Sequence, residues 1–325
     1  MKENRVGLSH LLHGTDSIAI RDSSEPKKIL SHRQLKHFIS ATFVPELLSF
    51  HIKFGSRVGI VLPNGPELAV CLLATLSNWC AIPLSQAYNT LELENELRQT
   101  KAEALIYFAD NHSARNAAES LCLPKIVLTS RTDLCGLFNL KFDGTLPVAA
   151  ASDVDSEANN FKYLPRFSRL CVDEVAFPDI NHFPSRQEIV LILLTSGTAG
   201  TKKVVPYSLD MVVEGVNCVI KSWNLSQSDL CLNMMPLYHI GGIMRNVLAP
   251  ILAGMCFQFY CISLQHFCMI FRRGGLSLFP FRSGVLLGPD GRSSGHLVLR
   301  LAHDAPRHTS GEHSIYTFTV SENYG

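Results

Sequence analysis

The stretch that most narrows what this chain can fold into is Ile189-Val-Leu-Ile-Leu-Leu194, followed without a break by Thr195-Ser-Gly-Thr-Ala-Gly-Thr-Lys-Lys203 and then Val204-Val-Pro206. An uninterrupted apolar run of strand length fits a strand covered on both faces, the usual state in a parallel sheet. The loop after it is chemically specialised. Gly197 and Gly200 carry no Cβ, so backbone N–H groups can converge on one point. Thr195, Ser196, Thr198 and Thr201 add hydroxyl donors, and Lys202 and Lys203 add the positive charge that polyphosphate oxygens need. The pattern is not a Walker A loop, because Lys202 stands where that motif has its second glycine. A solvated turn of the same composition is the plainer alternative.

The flanking sequence has the rhythm of a doubly wound α/β sheet. Arg57-Val-Gly-Ile-Val-Leu62 reads as a strand, and Pro63-Asn-Gly-Pro66 turns into a helix with Asn64 as its cap. Leu68, Cys71, Leu72, Thr75, Leu76 and Trp79 give that helix one apolar face. Asn89 or Thr90 then caps an acidic helix start, Ala104–Phe108 is the next strand, and a helix near 113–121 leads to a strand at 125–128. Strands and helices alternating through short connections make parallel sheets. Earlier, Ser31 caps a helix that carries Leu35, Phe38 and Ile39 on one side. From about 142 to 184 the periodicity fades into a surface connection. Beyond the glycine loop, Leu209, Val212, Val213, Val216, Val219, Ile220 and Trp223 form a helical stripe opened by Ser208. A helix following the loop would aim its N-terminal dipole at a bound phosphate. Leu230–Met234, a helix from Ile243 to Ala253 ended by Gly254, and Cys256–Tyr260 complete the periodic part.

Composition excludes several classes. With 29 basic against 28 acidic residues and no basic block, the electrostatic footprint of a nucleic-acid binder is missing. The ten cysteines include no C-x-x-C pair, so they read as reduced thiols of an intracellular, cytoplasmic protein rather than a metal finger. Asn111-His-Ser113 and Asn224-Leu-Ser226 match the glycosylation pattern by chance, since no secretory signal opens the chain. The most apolar long segment, Val247 to Leu264, is broken by Pro250, Gly254 and Gln258, which argues against a membrane span.

The loop resembles the signature of the adenylate-forming (AMP-binding) superfamily of acyl-CoA synthetases and their relatives: Thr-Ser-Gly-Ser/Thr-Thr-Gly-any-Pro-Lys-Gly-Val. Residues 195–205 follow it, with Ala199 in place of threonine, Lys202 in place of proline and Val204 in place of glycine. Val61-Leu-Pro-Asn-Gly-Pro-Glu67, Ala81-Ile-Pro-Leu84, Tyr88-Asn-Thr-Leu-Glu-Leu-Glu94 and Lys101-Ala-Glu-Ala-Leu-Ile106 are similar to the family's N-terminal segments, in the same order. Pro236-Leu-Tyr-His-Ile-Gly-Gly242 resembles the next signature, an aromatic-histidine element.

The resemblance implies an α/β fold of mostly parallel, doubly wound sheets, a partial adenylate-forming domain over 1–262 and an irregular tail over 263–325. It implies that Thr195, Ser196, Gly197, Thr198, Ala199, Gly200, Thr201 and Lys203 bind the phosphates of ATP. Thr198 would contribute to Mg2+ held with the nucleotide, and Tyr238, His239 and Gly241 would line the acyl pocket. A small-molecule carboxylic acid would attack the α-phosphate of ATP, release pyrophosphate and pass from AMP to coenzyme A or another thiol. The family's adenine-contacting Tyr-Gly-any-Thr-Glu segment, its ribose-binding aspartate and its lysine-bearing C-terminal domain are not found complete, and Asn323-Tyr-Gly325 offers only the first residues of one of them. A non-catalytic nucleotide- or partner-binding fragment is therefore the competing reading. A third, a hydrolase built on Ser293 in Gly291-Arg-Ser-Ser-Gly295, suffers from the turn that precedes it, where a strand is required.

Overall fold

The computed structural model describes residues 8–22, 25, 27–144, 184–195, 202–233, 235–259, 296–302 and 313–319. In chain order the elements are α1 (Leu8–Leu11), β1 (Ile18–Asp22), β2 (Ile29–Ser31), α2 (His32–Phe38), a π-helical turn (Ile39–Phe43) and α3 (Val44–Ser49). There follow β3 (Arg57–Val61), α4 (Pro66–Asn78), β4 (Cys80–Pro83), α5 (Thr90–Thr100), β5 (Ala104–Phe108), α6 (His112–Ser120), β6 (Lys125–Ser130) and β7 (Phe138–Phe142). Then come β8 (Ile189–Thr195), β9 (Lys203–Ser208), α7 (Leu209–Trp223), β10 (Leu230–Asn233), a second π-helical segment (Gly242–Leu248), α8 (Ala249–Leu252) and β11 (Cys256–Phe259), with β12 (His296–Ala302) and β13 (His313–Thr319) in the C-terminal part.

One sheet has seven strands in the order β7-β6-β5-β3-β4-β8-β9. Its centre is parallel, β6 to β5, β5 to β3, β3 to β4 and β4 to β8, whereas β7 and β9 close the two edges antiparallel. Side chains alternate between two cores with period two. Val58 and Ile60, Ala104 and Ile106, Ile126 and Leu128, and Leu191 and Leu193 enter one core, while Val61, Leu105, Tyr107, Val127 and Ile192 enter the other. On the second side lie α5 and α6, through Leu93, Leu97, Ala114, Ala117 and Ala118. The approach of α5 is close at Gly59, where a Cβ would stand 2.7 Å from Leu105 Cδ1 and 2.8 Å from Leu97 Cδ2.

The first side is covered by α4 and a second sheet, β10-β11-β1-β2, in which β10, β11 and β1 run parallel. Twelve of the thirteen residues of α4 are buried, because it packs on β3, β4 and β8 while also touching β1. Periodicity predicts a single apolar face; the helix has no solvent face, and its apolar character all round is what such a position selects. Trp79, 1% exposed, closes its C-terminal end with its ring 5.9 Å from Phe43 and 5.4 Å from Phe54. Each such fully buried aromatic or aliphatic side chain contributes roughly 1.5–3 kcal/mol relative to exposure. Parallel strands with helices on both faces bear out the doubly wound expectation.

Local signals behave as their chemistry dictates. Ser31 and Asn89 form capping boxes with Gln34 and Glu92, and Ser208 caps α7 by accepting from Met211 N. Both asparagines of the glycosylation-like motifs hold helix ends: Asn111 accepts from Ala114 N, and Asn224 ends α7 in the left-handed region with φ of 50°. The seven described cysteines are free thiols, and burial pushes Cys71, Cys80 and Cys135 up to about 12. Among the described residues no helix is long and apolar enough to cross a membrane. Within the tail, β12 and β13 pair antiparallel from His296↔Thr319 to Ala302↔His313. The connection expected from 142 to 184, apart from its first and last residues, lies outside the described residues, as do Ser293 with its Gly291–Gly295 pattern and Asn323–Gly325.

Candidate active site

The loop expected from its sequence to bind an anion follows the carboxyl end of β8. Val190 to Leu193 are buried, whereas Thr195 emerges exposed as the last strand residue and pairs with Lys203, the first residue of β9. Ser196, Gly197, Thr198, Ala199, Gly200 and Thr201 lie outside the described residues, so the structure fixes only the two stems of the loop. Those stems form an antiparallel hairpin at the sheet edge. Pro206 is tolerated in β9 because, among the described residues, that strand has no further neighbour needing its missing N–H.

The hairpin overturns one expectation. The helix α7 does not begin after the loop; β9 intervenes, carried by the strand formers Val204, Val205 and Tyr207. Six strand residues span about 20 Å. A helix dipole fades within its first turn, so the N-terminus of α7 does not act on an anion at the loop.

Lys202 is a second correction. Its ammonium does not stand free for phosphate: Nζ lies 2.6 Å from Glu96 Oε1 and donates to Tyr88 OH at 2.7 Å, 4.0 Å from the centre of the Tyr88 ring. Desolvation pulls the Lys202 pKa down, but its bonds to Glu96 and Tyr88 outweigh this and hold it above the ordinary lysine value. Lys203 is exposed at the start of β9.

The aromatic-histidine turn is built separately. The rings of Tyr238 and His239 lie 4.7 Å apart, His239 N donates to Pro236 O at 3.4 Å, and Ile243 N donates to His239 O at 3.1 Å, so the turn runs straight into the π-helical segment. Desolvation by neighbouring atoms lowers the pKa of the His239 imidazole below its ordinary value. A Cβ on Gly241 would collide with the Arg245 guanidinium, and one on Gly242 with the carbonyl oxygen of Pro236, so both glycines permit the close fold of the turn. Burial lowers the pKa of Arg245 beside it.

Three asparagines hold this turn, and sequence reasoning missed their role. Asn64 is not the cap of α4: the cap position is Gly65, with Pro66 opening the helix. Instead Asn64 Nδ2 donates to Met235 O at 3.0 Å, and its Oδ1 accepts from Leu237 N at 3.0 Å. Behind it, Asn233 bonds both ways with Met235, and buried Asn246 donates to Asn233 Oδ1 at 2.9 Å. These bonds join the carboxyl end of β3 to that of β10. The carboxyl ends of β3, β4 and β8 thus lie on one edge of the parallel sheet, with that of β10 tied to it through Asn64, and this edge is the place where open α/β sheets bind ligands.

Comparison with known proteins agrees with this architecture. Residues 13–266 match the family described as AMP-binding enzyme. A CoA ligase of Gibberella moniliformis is 27% identical over 206 residues, covering 63% of this chain and 29% of that protein. An oxalate–CoA ligase of Arabidopsis thaliana is 25% identical over 227 residues, covering 69% of this chain and 39% of its own length. The chain thus spans well under half of these relatives. Among solved structures, ATP-bound MatB from Rhodopseudomonas palustris superposes with a TM-score of 0.61 at 18% identity, over 82% of this chain and 48% of that one, a likeness of fold. On its sequence match and its doubly wound architecture together, the chain belongs to the AMP-binding enzyme family.

Proposed function

We propose that this chain forms the nucleotide-binding part of an acid–thiol ligase that activates a carboxylic acid as its acyl-adenylate and passes it to coenzyme A or another thiol. The observation that supports the reading is that the loop stems Thr195 and Lys203 stand at the carboxyl end of β8, on the same edge of the parallel sheet as the end of β3, to which Asn64 ties the turn before Tyr238 and His239. ATP supplies a phosphoanhydride; the carboxylate oxygen bonds to its α-phosphorus as the bond to the leaving pyrophosphate breaks. In that step the chain positions and neutralises rather than reacting covalently. Lys203, with the hydroxyls and amides of Thr195, Ser196, Thr198 and Thr201 and the backbone of Gly197, Ala199 and Gly200, would hold the β- and γ-phosphates. Tyr238, His239 and Gly241 would border the acid.

Magnesium would arrive bound to the nucleotide. Among the described residues no group of three His, Cys, Asp or Glu side chains is gathered that could hold it, so phosphate oxygens, water and Thr198 would complete its shell. The test is substrate-dependent exchange of labelled pyrophosphate into ATP across a panel of carboxylic acids. Exchange that Lys203→Ala abolishes is the expected result; exchange indifferent to that change refutes the assignment. A second reading is ATP or partner binding without turnover. It is recognised by ATP binding without exchange for any acid.

A further inference from the structure

We propose that Lys202, Glu96 and Tyr88 form a clamp that positions the carboxyl stem of the loop, so that Lys203, and not Lys202, is the lysine offered to the nucleotide. This rests on the reading of the loop as a nucleotide site. Four contacts tie Lys202 to α5 and the turn before it: Nζ to Glu96 Oε1 at 2.6 Å, Nζ to Tyr88 OH at 2.7 Å, the ammonium over the Tyr88 ring, and the Lys202 carbonyl oxygen accepting from Gln99 Nε2. The helix that receives them is itself fixed, by the Asn89–Glu92 capping box next to Tyr88 and by Leu93 and Leu97 in the core.

Burial decides between the two jobs open to Lys202. The Glu96 side chain is 8% exposed, and its Oε2 is buried without a hydrogen-bond partner. Were Lys202 to leave for a phosphate, Glu96 would remain as an unpaired buried carboxylate, which is strongly unfavourable. The ammonium therefore stays. A proline stands at this position in the family signature that the loop resembles; the clamp limits the same stem by side-chain contacts where a proline limits it by fixing φ.

The two jobs predict opposite signs. If Lys202 were a phosphate ligand held back by Glu96, neutralising Glu96 would release it and tighten ATP binding. If it is a clamp, neutralising Glu96 loosens the stem. We therefore expect Lys202→Met and Glu96→Gln each to weaken ATP binding by the full chain about tenfold in titration calorimetry, and the double variant to be no worse than either alone, since both remove one shared contact. Glu96→Gln keeps size and shape, so it serves even if the lysine variant folds poorly. Unchanged or tighter ATP binding by Glu96→Gln overturns the proposal. A wild-type chain that binds no ATP would instead refute the functional reading. In that case thermal unfolding reads the clamp by itself: non-additive losses for the two substitutions support it, and additive losses overturn it.

Discussion

Replacing Asn64 by alanine tests how the turn bearing Tyr238 and His239 is held. The substitution removes two bonds at once, the donor to Met235 O and the acceptor for Leu237 N, both at 3.0 Å. A net hydrogen bond contributes about 0.5–1.5 kcal/mol, and because Asn64 is exposed the lower half of that range applies, giving roughly 1–2 kcal/mol for the pair. For a chain of this size that is about 2–4 °C in Tm. The local readout is sharper. Amide exchange at Leu237 should accelerate about tenfold in Asn64→Ala, while Asn64→Asp, which keeps the acceptor but loses the donor, should leave it nearly protected. Had Asn64 been the cap of α4, its loss would destabilise by about 1 kcal/mol and leave Leu237 untouched. A Leu237 amide that exchanges equally in wild type and Asn64→Ala refutes the reasoning, whatever happens to Tm.

Three further outcomes follow from the same contacts. Burial pushes the Glu46 carboxyl from 4.5 up to about 7, against the opposing Leu140 N–H and Arg131, and its Oε2 has no partner. The folded state holds that proton more tightly than the unfolded one, so the stability it contributes is full below 4.5 and is lost as pH rises through about 7. With the partial exposure of the group discounted, Glu46→Gln should gain roughly 1–2 kcal/mol in urea unfolding at pH 8 and nothing at pH 4; equal gains at both values would contradict this. Gly242→Ala should cost about 1–3 kcal/mol, because its Cβ meets the rigid Pro236 carbonyl rather than a side chain that can rotate. It should also disturb nuclear magnetic resonance shifts at Tyr238 and His239, and a silent spectrum there would count against the packing described. Ser208→Ala should lower stability by about 1 kcal/mol through loss of the cap on Met211 N, with Ser208→Asp restoring it; failure of that rescue would show the cap to be idle.

The elements whose signals are local were legible in the chain itself. Ser31, Asn89 and Ser208 cap where the spacing predicted, since a cap is a contact between residues three apart. The strand at 189–194 and the alternation of strands and helices around it could be read for the same reason, and the order of motifs was enough to point to the family. Asn64 and Lys202 were misassigned because their partners lie 171 and 106 positions away, at Met235 and Glu96, and no local pattern encodes such a meeting. The missing solvent face of α4 was likewise invisible, for periodicity records what one face needs and not that a second sheet covers the other.

By itself, then, the sequence determined the central strands and the helices between them, the caps at Ser31, Asn89 and Ser208, and that a glycine- and hydroxyl-rich loop follows a buried strand. Tertiary structure alone decided which lysine is taken by a carboxylate, which asparagine fastens the aromatic-histidine turn, and that β9 rather than a helix follows the loop. The physical reason is that caps and periodic faces are settled within a few residues, whereas the partner of a buried charge or a two-way amide is chosen only when distant strands bring their carboxyl ends together.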